Sequence, residues 1–272
     1  MHFLIVTFSF LVLIFSTSDL EASDKEILRG IKGHDDRVLV EKYEYPWSAI
    51  GRLNKESGGF CTATLIAPKI ILTAAHCLWN KQRKVWVKPN TVHFLAGYRR
   101  GSFVAHSVAE KFYLSEGYSP TTGHKLSTAS NDWAIVELKN DVSAEVGTIT
   151  LSNLNLEMFN QLRAHKTSFQ QAGYSQDKAH ILSMNTDCPI EGYSDKYDVI
   201  IHDCDAVNGD SGSPVFYKEN GLPKILGIHV ATTRQGKSQG IAVSATKIVQ
   251  HLKTIGLWDK ANVSTKPKLA KN

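Results

Sequence analysis

Short apolar runs, interrupted by Gly, Pro and Asn, dominate the chain. CTATLIAPKIILTAA (61–75), TVHFLAG (91–97), WAIVELK (133–139), DVIIHDC (198–204), SPVFY (213–217) and KILGIHVATT (224–233) are rich in β-branched residues. That is the pattern of many short antiparallel strands. A helical period is clear only near the end. In SATKIVQHLKTIGLW (244–258), Ile248, Leu252 and Ile255 share a face, and Gly256 can end the helix. The stretches 99–131 and 152–171 read mainly as loops. The pattern predicts an all-β protein with a C-terminal helix, built as two β modules that divide near 145: residues 31–145 and 146–258.

The first apolar run is of another kind. FLIVTFSFLVLIF (3–15) is shorter than the roughly 20 residues of a membrane span. Small residues, Ser16-Thr17-Ser18, follow it as at a signal-peptidase site. A secretory leader over 1–18, cut somewhere in 18–22, is expected, although only His2 and the α-amino group stand where leaders usually carry Lys or Arg. No later run has membrane length, so the mature chain is expected in the medium or the periplasm with no stable membrane span. Four cysteines suit such a compartment. They form two local pairs, Cys61 with Cys77 and Cys188 with Cys204, and closing loops of that size stabilises by about 3 kcal/mol each on the chain-entropy view. Free thiols or a metal site are the alternatives, but C-x-x-C spacing, the usual sign of zinc, is missing.

Composition and charge change the picture little. The chain has 272 residues, 42% hydrophobic and 21% charged, which is ordinary for a globular protein. Its formal charge of +5 has no aromatic-interleaved basic patch, so a nucleic-acid partner is not expected. The segment 259–272 reads as a solvated basic tail, and Asn262-Val-Ser264 would be a glycan acceptor in a eukaryotic secreted protein.

Three stretches carry candidate chemistry. Leu72-Thr-Ala-Ala-His76-Cys77 ends an apolar run in small residues and a histidine. Asn131-Asp132-Trp133 leads an Asp into an apolar strand. Asp205-Ala-Val-Asn-Gly209-Asp210-Ser211-Gly212-Ser-Pro sets a serine among glycines. Taken singly, the His reads as core and the Asp as a turn residue. Together they supply what acyl transfer needs: a hydroxyl nucleophile, an imidazole to take its proton, and a carboxylate to orient the imidazole. Backbone N–H groups of Gly209 and Ser211 can face a developing oxyanion.

TAAHC, NDWAIVEL and GDSGSPV, in that order, resemble the chymotrypsin-fold serine proteases, whose triad is the worked template for these roles. The resemblance covers roughly 31–258. The bacterial trypsin-like and glutamyl endopeptidase group is most similar, in GSPVF after the serine, in Gly227-Ile228-His229 and in Asp35-Asp36-Arg37. It implies two six-stranded antiparallel β-barrels with a cleft between them. It also implies peptide-bond hydrolysis of a protein or peptide substrate with no metal or organic cofactor. His76 would be the general base, Asp132 its orienter and Ser211 the nucleophile. Asp210 would pair with an α-amino group freed by zymogen cleavage, here Ile31 after a pro-segment over 19–30, with Arg29 as a second processing point.

Two residues point to different substrates. Asp205, six before Ser211, stands where trypsins hold the carboxylate that pairs with substrate Arg or Lys. His229 stands where glutamyl endopeptidases place a His for substrate Glu, although the Thr those enzymes also use is Ala206 here. Basic specificity is slightly favoured over acidic. A silent homologue that only binds would be expected to lack one of the three residues, and none is lost. A lipase-like hydrolase would need G-x-S-x-G and another residue order.

Overall fold

The computed structural model describes residues 28, 30–122, 126–233, 238–261, 263 and 265–267. The expected leader, the expected pro-segment except residues 28 and 30, Asn262, Ser264 and half of the basic tail lie outside the described residues. Six antiparallel strands form the first unit: β1 (Ile50–Lys55), β2 (Phe60–Ala67), β3 (Ile70–Thr73), β4 (Val92–Ala96), β5 (Ala105–Leu114) and β6 (Ala134–Leu138). They close into a barrel in the order β1-β2-β3-β6-β5-β4, with Gly51 of β1 paired to Ala96 of β4. The period-two pattern explains which side faces in. Along β4, Val92, Phe94 and Ala96 are buried, while His93 and Leu95 between them are only partly so. The single apolar run of 61–75 folds as two strands because the chain turns at Pro68-Lys69, where Lys69 has φ 64°.

The second unit holds β7 (Gln170–Gly173), β8 (Ser183–Asn185), β9 (Ile190–Ser194), β10 (Val199–His202), β11 (Pro214–Glu219), β12 (Leu222–Thr232) and β13 (Gly240–Ser244). The order is β8-β7-β11-β12-β13-β10-β9, with Val38–Leu39 added at the β8 edge and Thr150–Leu151 parallel to β12. This nine-stranded sheet is a half-barrel; unlike the first, its hydrogen-bonded path does not close. A shared apolar core joins the two units, running from Leu53 and Phe94 to Phe216 and Val243.

Two stretches read as loops contain regular structure. β5 lies within 99–131; a register shift between Ala109 and Lys111 breaks the alternation that would have marked it. Helix α1 (Leu156–Ala164) lies within 152–171, started by Asn155, whose Oδ1 accepts from Met158 N–H at 2.8 Å. It buries Phe159 against a second, smaller core cluster that includes Leu154, Ile190 and Leu226. The expected terminal helix is α2 (Ala245–Thr254), capped by Ser244, with Ile248, Val249 and Leu252 buried. Among the described residues no helix is long and apolar enough to cross a membrane.

Candidate active site

His76 lies in a short 3-10 turn, Ala75–Leu78, directly after β3. Ala74 and Ala75 are fully buried, and the Cys61–Cys77 disulfide (Cα–Cα 6.0 Å) ties the turn to β2. Asp132 grips this turn twice. Its Oδ1 accepts from the backbone N–H of His76 at 2.9 Å, and its Oδ2 lies 2.7 Å from His76 Nδ1. A carboxylate only accepts, so Nδ1 carries the proton and the lone pair falls on Nε2. Asp132 is 2% exposed, yet both its oxygens have donors. Its own turn is clamped by α2: Lys247 Nζ donates to Asn131 Oδ1 at 2.7 Å, and His251 packs edge-on against Trp133.

Ser211 sits in the loop before β11. Its carbonyl accepts from Thr62 N–H of β2 at 2.9 Å. Thr62 Oγ1 in turn donates to Gly209 O and accepts from Tyr174 N–H, so one residue of the first barrel fixes the serine loop of the second sheet. That role was not legible from Thr62's place in the 61–75 run. Gly209 (φ +97°) and Gly212 (φ +85°) are needed here; a Cβ would meet Tyr174 O at 2.3 Å and Thr62 O at 2.2 Å respectively. Asp210, Gly212 and Ser213 N–H groups all have backbone acceptors. Those of Gly209 and Ser211 have none among the described residues, which leaves this alternate pair open to an oxyanion.

Asp210 is buried under the same loop. Ser175 Oγ lies 3.0 and 2.8 Å from its two oxygens, and Val207 N–H donates to Oδ2 at 2.8 Å. Burial pushes its pKa up to about 6, against the pull of those bonds and of the Arg37 charge. Arg37 itself is buried between Asp35 and Asp177, with Lys178 bonded to both acids. In this unbroken chain Ile31 N–H donates to Leu28 O, so Ile31 and Asp210 each have other partners.

The two specificity candidates are also engaged. Asp205 is 4% exposed; its Oδ1 accepts from the backbone N–H of Lys32 at 2.7 Å. Asn185 holds the Asp205 backbone through both its N–H and its carbonyl at 3.0 Å, and the Lys32 ammonium bonds Cys204 O. Burial raises the Asp205 pKa. The Cys188–Cys204 disulfide (Cα–Cα 4.9 Å) closes the same corner.

His229 Nδ1 lies 3.1 Å from His202 Nε2, and Cys204 N–H donates to His202 Nδ1 at 3.2 Å. These contacts fix the protons. A backbone N–H can only donate, so His202 Nδ1 is an acceptor and its proton is on Nε2. That proton goes to His229 Nδ1, which leaves His229 Nε2 as an N–H donor. Burial keeps both rings neutral, pushing His229 down to about 3 and His202 well below its usual value. The Lys32 charge lowers both further. His202 was legible only as part of a strand, because its partner lies on another strand 27 residues away. Among the described residues, one group of three or more has metal-ligand spacing, Cys61, His76 and Cys77, and both of its sulfurs are in the disulfide.

The chain is similar to known proteins. The family model described as Trypsin matches residues 37–252. Glutamyl endopeptidase of Bacillus licheniformis is 26% identical over 231 residues, 82% of this chain and 67% of that protein. Human serine protease 23 is 25% identical over 266 residues, 86% of this chain and 65% of that protein. The chain thus spans about two thirds of the length of these curated relatives. A solved Glu endopeptidase in complex with MPD shares the fold at TM-score 0.67 and 22% identity, over 84% of this chain and 99% of that one.

Proposed function

We propose, for a chain that belongs to the trypsin family and is a serine endopeptidase, that it cuts peptide bonds after acidic residues through an acyl-enzyme on Ser211. In this reading His76 Nε2 takes the Ser211 proton as Oγ attacks the scissile carbonyl. Asp132 holds the imidazole in the required tautomer and offsets the positive charge that develops on it. The N–H groups of Gly209 and Ser211 stabilise the oxyanion, and His76 then protonates the leaving amine. A water molecule, deprotonated by the same imidazole, releases the acid product.

Acidic specificity rests on one observation, the donor chain from Cys204 N–H through His202 to His229. It leaves His229 Nε2–H as a fixed donor, suited to a substrate carboxylate and unsuited to a guanidinium or ammonium, which also only donate. The glutamyl endopeptidase relative and the engagement of Asp205 by Lys32 N–H point the same way. Basic specificity is the second reading, favoured by the buried carboxylate of Asp205 six residues before Ser211. Secretion after removal of 1–18, a pro-segment over 19–30, units over 31–145 and 146–258 and a basic tail from 259 complete the reading. The test is cleavage of a mixed peptide library by the processed protein, with Ser211→Ala as control. Cuts after Glu or Asp are expected; cuts after Arg or Lys that vanish in Asp205→Asn would establish the second reading instead.

A further inference from the structure

We propose that His93 and His106 form a binding site for a divalent transition metal, zinc or copper, on the outer wall of the first barrel, with Glu56 as its outer support. The two residues come from adjacent strands, β4 and β5, and their side chains meet in a shallow groove of about 320 Å³ that Asn54, Lys55 and Phe103 also line. His93 Nδ1 lies 3.0 Å from His106 Nε2. Two nitrogens bound to one tetrahedral zinc ion at about 2.0–2.1 Å stand roughly 3.3 Å apart. The rings are nearly parallel, 7° between planes with centroids 5.2 Å apart, so the pair needs to open by a few tenths of an ångström and each ring to turn by roughly 35° to bring both lone pairs to one point.

The third residue fixes which nitrogen binds. Glu56 Oε1 lies 3.5 Å from His93 Nε2, on the side of the ring away from His106. A carboxylate there takes the Nε2 proton as a hydrogen bond and leaves Nδ1 as the lone-pair ligand. A carboxylate behind a ligating imidazole is the usual second partner in metal sites. In the metal-free pair, His106 Nε2–H donates to His93 Nδ1. On binding, that proton is exchanged for one on His106 Nδ1, so both rings stay neutral and both facing nitrogens bind. Two imidazole nitrogens as ligands favour zinc or copper over calcium, which takes oxygen ligands. A bound ion would link β4 to β5 and steady the barrel that carries His76 and Asp132.

The test is calorimetric titration of the Ser211→Ala chain, which does not digest itself, with zinc chloride. One ion per chain is expected, unaffected by millimolar calcium and retained in a His76→Ala background. His93→Ala and His106→Ala should each abolish binding, and Glu56→Gln should weaken it about tenfold. If the alanine variants fold poorly, His93→Gln and His106→Gln keep size and polarity and serve the same purpose. Copper bound in place of zinc should show two imidazole nitrogens in its electron paramagnetic resonance spectrum. Absence of zinc binding, or an isotherm that both histidine variants leave unchanged, would overturn the proposal.

Discussion

The two units of the molecule each hold a hydrogen-bonded imidazole, His76 in the first and His229 in the second, and they prepare it in opposite ways. In the first barrel, His76 Nδ1 faces a carboxylate oxygen of Asp132 at 2.7 Å. In the second sheet, His229 Nδ1 faces another imidazole, His202, at 3.1 Å, which is itself held by a backbone N–H. The first arrangement leaves Nε2 as a base and the second leaves it as a donor. The residue type is the same; the partner at Nδ1 decides whether the far nitrogen takes a proton or offers one. One imidazole suits the chemistry of the bond and the other suits recognition of the residue beside it.

The sharpest way to break this contrast is to change the partner of His76. Asparagine at 132 offers one acceptor oxygen for two N–H groups and turns an amide toward Nδ1. The wrong tautomer follows, and kcat should fall by ~10⁴ with KM little changed, the size known from the worked serine-protease template. Steady-state kinetics on a Glu-containing peptide measures it. Removing the partner of His229 should cost less. His202→Leu frees the His229 tautomer, and kcat/KM for Glu substrates should drop about 10- to 100-fold, as for a lost hydrogen bond to a charged group. Cleavage of an ester substrate without an acidic side chain should be nearly unchanged.

Acid stability separates the two kinds of buried group. His229 titrates at about 3 in the folded chain and near 6.5 when unfolded, so the unfolded state binds more protons between those values. Its contribution is full above pH 6.5 and is lost as pH falls toward 3. Asp210 has the opposite sign: its folded pKa of about 6 exceeds its unfolded value, so its contribution is lost as pH rises from about 4 through 6. In Ser211→Ala thermal melts between pH 4 and 7, a His202→Leu/His229→Leu pair should lose less stability on acidification than its parent. Asp210→Asn, which can still accept from Val207 N–H, should no longer lose stability across the rise. The smallest effect is expected at Asp205. Asp205→Asn keeps an acceptor for Lys32 N–H and should leave cleavage after Glu within a few-fold of wild type; a large loss of cleavage after Arg would favour the basic reading.

Much of this was legible in the sequence because the chemistry is concentrated in short motifs. TAAHC, NDWAIVEL and GDSGSPV each carry one candidate group, and the fold joins His76 to Asp132 through two hydrogen bonds. The β-rich pattern and the terminal helix were also readable, since α2 keeps an unbroken period of 3.6. What escaped depends on contacts between distant strands. The bulge in β5 and the sparse apolar face of α1 hid an element each. His202 carries meaning only once β10 and β12 flank β13, and the bond from Lys32 to Asp205 spans 173 residues. The offset of Asp205 from Ser211, on which basic specificity rests, likewise cannot show that Lys32 N–H bonds its carboxylate.

The two imidazoles carry their protons on opposite nitrogens. Nitrogen-15 spectroscopy of the histidine rings in the Ser211→Ala chain near pH 7 reads this directly. A proton on Nδ1 of His76 and a bare Nε2 are expected, with a bare Nδ1 and a protonated Nε2 on His229. A proton on Nδ1 of His229 would contradict it, because that ring could then present only a lone pair to the substrate.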